Sequence, residues 1–296
     1  MRSDIRAARE RYSKIEASLR SLEEAARLAP DLPPDDPIFL CAIGWRSGST
    51  LLQRILMTDP RIFVWGEPLD HLGVLSRLTD LTSLIGPDWP PSYYWLTHRP
   101  GVNRTADFVT NLSPDASDFR AGLRGLFDRW LAEPARRDGF ARWGVKETRW
   151  SGEQARLLRW LYPSARFVVI ARHPVACYAS MKVLGLEARG PGFWVRRPDR
   201  RLNGLKDYAS YWNELALSWA EASEPLDATV IRYEDITAGR VDLAGLGRRL
   251  DLALDPDLAL GVVAGATPDK RPISAQETER VNALTAEGRR AFGYGD

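Results

Sequence analysis

Three features predict an α/β three-layer domain with a mainly parallel central sheet flanked by helices, preceded by an N-terminal helix. Short apolar runs bounded by breakers alternate with helical patterns along the chain. Those runs are apolar at consecutive positions, as expected of strands covered on both faces. A length of 296 residues, 44% hydrophobic and 27% charged, suffices for one large ordinary core.

Residues 3–28 read as a helix, because Ile5, Ala8, Tyr12, Ile15, Leu19, Leu22 and Ala26 recur at steps of three and four. The stripe serves either as a homodimer seam, for which Ala8 and Ala26 are weak, or as a face laid on the chain's own domain. Pro30 to Pro37 then breaks any helix and reads as a linker, dividing 1–36 from a main domain at 37–296. Ile38 to Ile43 is a buried strand, followed by a glycine-containing loop and a helical pattern at Leu51, Leu52, Ile55 and Leu56. Ile62 to Trp65 forms a second strand, closed by Gly66-Glu67-Pro68. Residues 70–140 are mostly helix or loop, with breakers at Gly86-Pro87 and Pro90-Pro91. Trp143 to Lys146 is a third strand and 151–161 a helix. Arg166 to Ala171 is the strongest strand, leading through Arg172-His-Pro174 into a helix over 175–184. A helix over 205–222 and a last strand at Thr229 to Tyr233 precede a C-terminal third of helix and loop.

The longest apolar runs fall far short of the ~18 residues that span a bilayer, so no transmembrane segment is expected. The N-terminal residues have no apolar region of a secretory signal. Cys41 and Cys177 lie inside apolar segments, which suits a reducing cytoplasmic setting and excludes a cysteine-based zinc site. A net charge of +2 does not suggest nucleic-acid binding.

The loop Gly44-Trp-Arg-Ser-Gly-Ser-Thr50 joins a buried strand to a helix N-terminus, where unpaired N–H groups and the helix dipole suit a phosphate or sulfate. Gly44 and Gly48 allow a tight turn, Ser47, Ser49 and Thr50 add hydroxyls, and Arg46 adds a permanent cation. The pattern departs from the nucleotide-binding Gly-x-x-x-x-Gly-Lys-Ser/Thr loop: Ser49 takes the lysine position and Ile43 the first glycine. The strongest strand, moreover, ends in Arg172 where a kinase would need an aspartate for Mg²⁺. A kinase-like phosphotransferase is disfavoured on both counts. Arg172, at a strand's carboxyl end, and Ser180, eight residues on, form a second candidate anion site on the same sheet edge. Two such sites match the two ends of a doubly phosphorylated nucleotide.

These residues resemble the sulfotransferase family that uses 3′-phosphoadenosine 5′-phosphosulfate (PAPS) and releases 3′-phosphoadenosine 5′-phosphate (PAP). Arg46-Ser-Gly-Ser-Thr50 resembles its 5′-phosphosulfate loop, Phe167 to Pro174 with Ser180 its 3′-phosphate motif, and Arg232-Tyr233 its strand end near the adenosine. The match is best with the arm that includes tyrosylprotein sulfotransferases and many bacterial enzymes. There Glu67 of Trp-Gly-Glu-Pro, Lys146 of Gly-Val-Lys-Glu and the pair Trp212-Asn213 find counterparts. Trp45 replaces the usual proline, His173 stands where aspartate is common, and Lys270 cannot be matched to the cofactor lysine.

The resemblance implies a P-loop-like fold and a donor held by Arg46, Ser47, Gly48, Ser49, Thr50, Arg172, Ser180 and Tyr233. It implies further that Arg46 and Lys146 contact the sulfate and that no metal is required. Glu67 is then the candidate general base and His71 the alternative; equally, Glu67 pairs with Arg46 or caps a helix. The acceptor carries a hydroxyl, whether on a small molecule, carbohydrate, lipid or peptidyl tyrosine. A non-catalytic binder of 3′,5′-bisphosphorylated adenosine is the other reading. The aromatics Trp89, Tyr93, Tyr94 and Trp95, with Phe193 and Trp194, suit either a lid or loop packing. The arginines from Arg189 to Arg201 suit a phosphate clamp or a solvated loop.

Overall fold

The apolar runs become the strands of a single sheet. The computed structural model describes residues 2–26, 35–68, 72–183, 204–255, 257–259, 261 and 273–295. Its first half comprises α1 (Arg2–Ala25), β1 (Ile38–Ala42), α2 (Ser49–Leu56), β2 (Ile62–Gly66), α3 (Val74–Thr82), α4 (Ala116–Phe127) and, after a π turn, α5 (Glu133–Arg137). There follow β3 (Arg142–Glu147), α6 (Gly152–Leu161), β4 (Arg166–Ala171), α7 (Pro174–Val183), α8 (Leu205–Ala222), β5 (Thr229–Arg232), α9 (Tyr233–Thr237) and α10 (Leu243–Leu250). Helices at Ala275–Leu284 and Ala286–Ala291 close the described chain.

All strand pairings are parallel, in the order β2-β3-β1-β4-β5. β1 is central, with Ile38 opposite both Gly144 of β3 and Arg166 of β4. Alternation of side chains along each strand divides the core in two. Phe39, Cys41, Trp143, Val145, Phe167 and Val169 face the layer of α1, α6 and α8. Ile38, Leu40, Val64, Val168, Ile170 and Ile231 face α2 and α10. The Tyr12, Ile15, Leu19 and Leu22 stripe of α1 is thereby buried against the chain's own α6 and α8.

Because β1 is followed on one side by β2 and β3 and on the other by β4, the crossovers diverge at its carboxyl end. In a parallel sheet a ligand crevice opens there. The segment 70–140, expected as helix or loop, contains α3, short 3₁₀ turns at Ser92–Tyr94 and Leu96–His98, and α4 to α5. Within it Trp95 is buried in the core, whereas Trp89 and Tyr93 are exposed and stack edge-on against Tyr94.

The start of β2 is fixed by Asp59, which is wholly buried. Its carboxylate accepts from the Arg61 guanidinium, from the Arg61 N–H at 2.9 Å and from the Ala253 N–H at 2.6 Å. The Arg61 side chain above all holds the carboxyl down to about 2. A carboxyl depressed below its unfolded value of about 3.9 stabilises the fold above that value, and the contribution disappears as pH falls through about 2. The contribution is at most about 2 kcal/mol, since Arg61 is half in water. Asp59→Asn should lower the urea midpoint at neutral pH and flatten its decline between about pH 4 and pH 2, measured by far-UV circular dichroism.

Candidate active site

Between β1 and α2 the backbone passes through left-handed conformations at Gly44, Arg46 and Gly48, with φ of +76°, +63° and +93°. For Arg46, a residue with a Cβ, that conformation needs external support. Its carbonyl accepts from Arg172 Nη1 at 2.9 Å and from Cys177 Sγ at 3.7 Å. Its own Nε donates to Ser180 Oγ at 3.0 Å. Burial pushes the Cys177 thiol up to about 12, so it stays protonated as a donor beneath the loop. Ser47 is buried and its hydroxyl donates to the Gly44 carbonyl at 2.9 Å, closing the turn from inside.

Gly48 precedes α2 and gives that helix no side-chain cap, so the first N–H groups of α2 stay available to an anion. Ser49 is buried and Thr50 exposed in the same first turn. A Cβ on Gly48 would lie 2.2 Å from Cδ2 of Tyr233, whose ring occupies the space a larger residue would need. The Arg172 guanidinium sits 4.2 Å from the centroid of that ring. Arg172 is 6% exposed, its Nε has no hydrogen-bond partner, and among the described residues it has no carboxylate within ion-pair distance. A buried cation without a counter-charge is costly, and an incoming anion removes the cost.

On the other side of β1, Lys146 at the end of β3 donates to Glu67 Oε1. Glu67 follows β2 with φ of +24°, and its N–H donates to the Lys146 carbonyl at 2.8 Å. Thr148 and Arg149 approach its second oxygen, Oε2, at 3.5 and 3.7 Å. Glu67 thus pairs with Lys146 and not with Arg46. Arg149 is itself held by the buried Glu147, which accepts from its Nε at 3.0 Å and Nη2 at 2.9 Å and from the Thr148 N–H at 2.7 Å. Burial pushes the Glu147 carboxyl up to about 7 against the pull of Arg149. Sequence reasoning passed over Glu147 and Arg149; three charges in the four residues Lys146-Glu-Thr-Arg149, at the end of an apolar strand, were the available signal.

The structure therefore brings Arg46, Arg172, Ser180 and Tyr233 together beside β4, and Glu67, Lys146 and Arg149 together beside β2 and β3. Arg46 stands with the residues expected at the 3′-phosphate, its guanidinium bonded to Ser180. His173 caps its own helix, with Nδ1 accepting from the Val175 N–H at 3.3 Å. Burial, with Arg289 adding to it, holds its imidazole below the ordinary range. The His173 backbone N–H donates to Glu234 Oε1 at 3.0 Å, and the Tyr294 hydroxyl donates to the other oxygen at 2.8 Å, which docks the C-terminal residues behind the 3′ motif. Trp45 is buried with its ring 5.0 Å from that of Tyr211. Trp212 packs under Gly44, and Asn213 accepts from the Gly288 N–H at 2.9 Å. His71, the linker residues 27–34, Phe193, Trp194, Arg189 to Arg201 and Lys270 lie outside the described residues. Among the described residues no helix is long and apolar enough to cross a membrane.

Residues 37–255 match the model of a sulfotransferase family. Among solved structures, sulfotransferase STF9 from Mycobacterium avium is similar with 15% identity and a TM-score of 0.51, covering 99% of this chain and 86% of that one. At that identity the likeness concerns the fold alone. The sulfotransferase domain of the Synechococcus PCC 7002 olefin synthase is 17% identical over 91% of this chain and 98% of its own, with a TM-score of 0.47. Mouse sulfotransferase SULT7A1, solved in complex with PAP, is 13% identical over 93% of this chain and 90% of its own, with a TM-score of 0.42. No curated protein sequence matches significantly.

Proposed function

The chain belongs to the sulfotransferase family, and from that premise we propose that it moves a sulfuryl group from PAPS to an acceptor hydroxyl, with Glu67 as general base. The observation that carries the proposal is the convergence of Arg46, Arg172 and Ser180 at the carboxyl ends of β1 and β4, with no carboxylate to neutralise the two guanidinium groups among the described residues. A bisphosphorylated adenosine fits on two further counts. Arg172 has a buried Nε without a partner, and the approach of Tyr233 to Gly48 gives an adenosine an aromatic wall beside the phosphate loop.

PAPS supplies the sulfuryl group and departs as PAP. The chain's own residues do the rest. The N–H groups opening α2, with Ser49 and Thr50, hold the 5′-phosphate; Arg172 and Ser180, braced by Arg46, hold the 3′-phosphate. Lys146 lies where charge grows on the oxygen between phosphorus and sulfur and stabilises it without metal assistance. Glu67 takes the acceptor proton as the new O–S bond forms, and Arg149, locked by Glu147, fixes the orientation of its carboxylate. Fixed geometry and charge supply most of the rate, because the reaction needs in-line placement of acceptor oxygen, sulfur and leaving oxygen.

Mass spectrometry of acceptor mixtures incubated with the protein and PAPS tests this. The expected result is a sulfuryl mass on at least one hydroxyl compound, with PAP formed in equal amount. Tight PAP binding without transfer across a broad hydroxyl panel overturns the catalytic reading, and Mg²⁺-dependent ATP turnover in place of transfer overturns the donor.

A further inference from the structure

Beside the donor loop a groove of about 740 Å³ runs between α1, α3, the start of α6 and α8. Two of its lining residues tie it to the site. Arg149 Nη2 is 3.7 Å from Glu67 Oε2, and the Tyr211 ring lies 5.0 Å from that of Trp45 in the loop. Through Arg149 the lining of the groove adjoins the carboxylate read above as the base, near which an acceptor must present its hydroxyl.

The walls mix charges of both signs with hydroxyls. α1 contributes Arg11 and Lys14, α3 contributes Arg77 and Asp80, and α8 contributes Glu214 and Ser218. Glu153 accepts from Arg11 Nε at 2.8 Å and from Ser218 Oγ at 2.8 Å. Lys14 and Asp80, both exposed, form no ion pair among the described residues. An apolar acceptor filling this groove strips such groups of water and leaves them unpaired, at about 1–3 kcal/mol each. An acidic acceptor meets Asp80 and Glu214. A sugar hydroxyl donates to a carboxylate and accepts from an ammonium or guanidinium, so it satisfies both kinds of wall. Leu84, an exposed leucine in the lining, adds apolar area for the C–H face of a sugar ring.

We propose that the acceptor is a polyhydroxylated, sugar-like molecule held in this groove. α1, which precedes the span matched by the family model, supplies one of its walls. The identification rests on the sulfotransferase reading of the Glu67 site. In the transfer the acceptor O–S bond forms as the S–O bond to the 5′-phosphate breaks. The acceptor proton passes to Glu67, and the electron pair of the broken bond stays with the leaving phosphate oxygen.

Three measurements separate the two readings. Titration with PAP reads the donor site alone. Saturation-transfer NMR with methyl glycosides and short oligosaccharides reads the groove alone. Transfer of labelled sulfate from PAPS to matched sets of glycosides, phenols and sterols reads both. Glycosides should show saturation transfer and accept label. Lys14→Gln and Asp80→Asn should each raise the glycoside KM about 5- to 20-fold, with kcat within about twofold and PAP affinity unchanged. Label on phenols or sterols with no glycoside signal by either method overturns the proposal, as does a KM that both substitutions leave unmoved. Glycoside saturation transfer in a protein that fails to bind PAP supports the groove and overturns the donor site.

Discussion

Arg172→Ala is expected to bind PAP about 100-fold or more weakly, while binding 5′-AMP less than about 10-fold more weakly. The asymmetry is the informative part. Arg172 has two tasks in the proposed reading: its Nη1 supports the Arg46 carbonyl, and the rest of its guanidinium, which lies over the Tyr233 ring, takes the 3′-phosphate. Loss of the first loosens the phosphate loop and weakens both ligands alike. Loss of the second removes a charge-assisted fork worth about 1.5–3 kcal/mol per hydrogen bond, and only the ligand with a 3′-phosphate feels it. Arg172→Lys keeps the charge but not the fork, so it should restore part of the PAP affinity and little of the discrimination. Isothermal titration of the two nucleotides against the three proteins gives the ratio directly. Equal losses for PAP and 5′-AMP would falsify the assignment of Arg172 to the 3′-phosphate and leave it as a brace for the loop.

The same pair of tasks explains what the sequence made legible and what it did not. Strands were readable because burial on both faces demands continuous apolar runs. Arg166–Ala171 has the expected bounds, and β1 ends one residue earlier than expected because Ile43 leaves the strand to open the loop. The last strand stops at Arg232, since Tyr233 begins α9 and turns its ring onto Gly48. The loop itself was readable from Gly44 and Gly48, which the backbone requires at positive φ.

Pairings between distant segments left no periodic trace. Nothing local in Arg46 points to Ser180, 134 residues on, and nothing in Glu67 points to Lys146, 79 residues on. Arg149 was invisible for a similar reason: its position depends on Glu147 being turned inward by β3, which becomes apparent only once the sheet order is known. The segment 70–140 was read only as helix or loop because its helices are short and separated by Gly-Pro and Pro-Pro breakers, and α3 buries only Leu75, Thr79 and Thr82.

Glu67→Gln should lower kcat by about 10²- to 10⁴-fold and leave PAP affinity within about twofold. The substitution keeps shape and the capacity to accept from Lys146, so the loop, the Lys146 position and the donor site stay as they are. What disappears is a group able to take the acceptor's proton. The ion pair also sets the order of effects. Lys146→Met removes the cation proposed for the leaving oxygen and the partner of Glu67 together, so its kcat should fall at least as far, and Glu67→Gln/Lys146→Met should fall well short of the product of the single losses. Arg149 adds a third member, because its guanidinium lies 3.7 Å from the same carboxylate. Arg149→Gln should therefore reduce kcat less than either, and Arg149→Lys, which keeps the charge, should restore part of the loss, a rescue that simple loss of packing does not produce. Stopped-assay rates for the unsubstituted protein and these variants, each with its PAP titration, decide the matter. Near-native turnover in Glu67→Gln, coupled with loss in His71→Asn, transfers the base to His71.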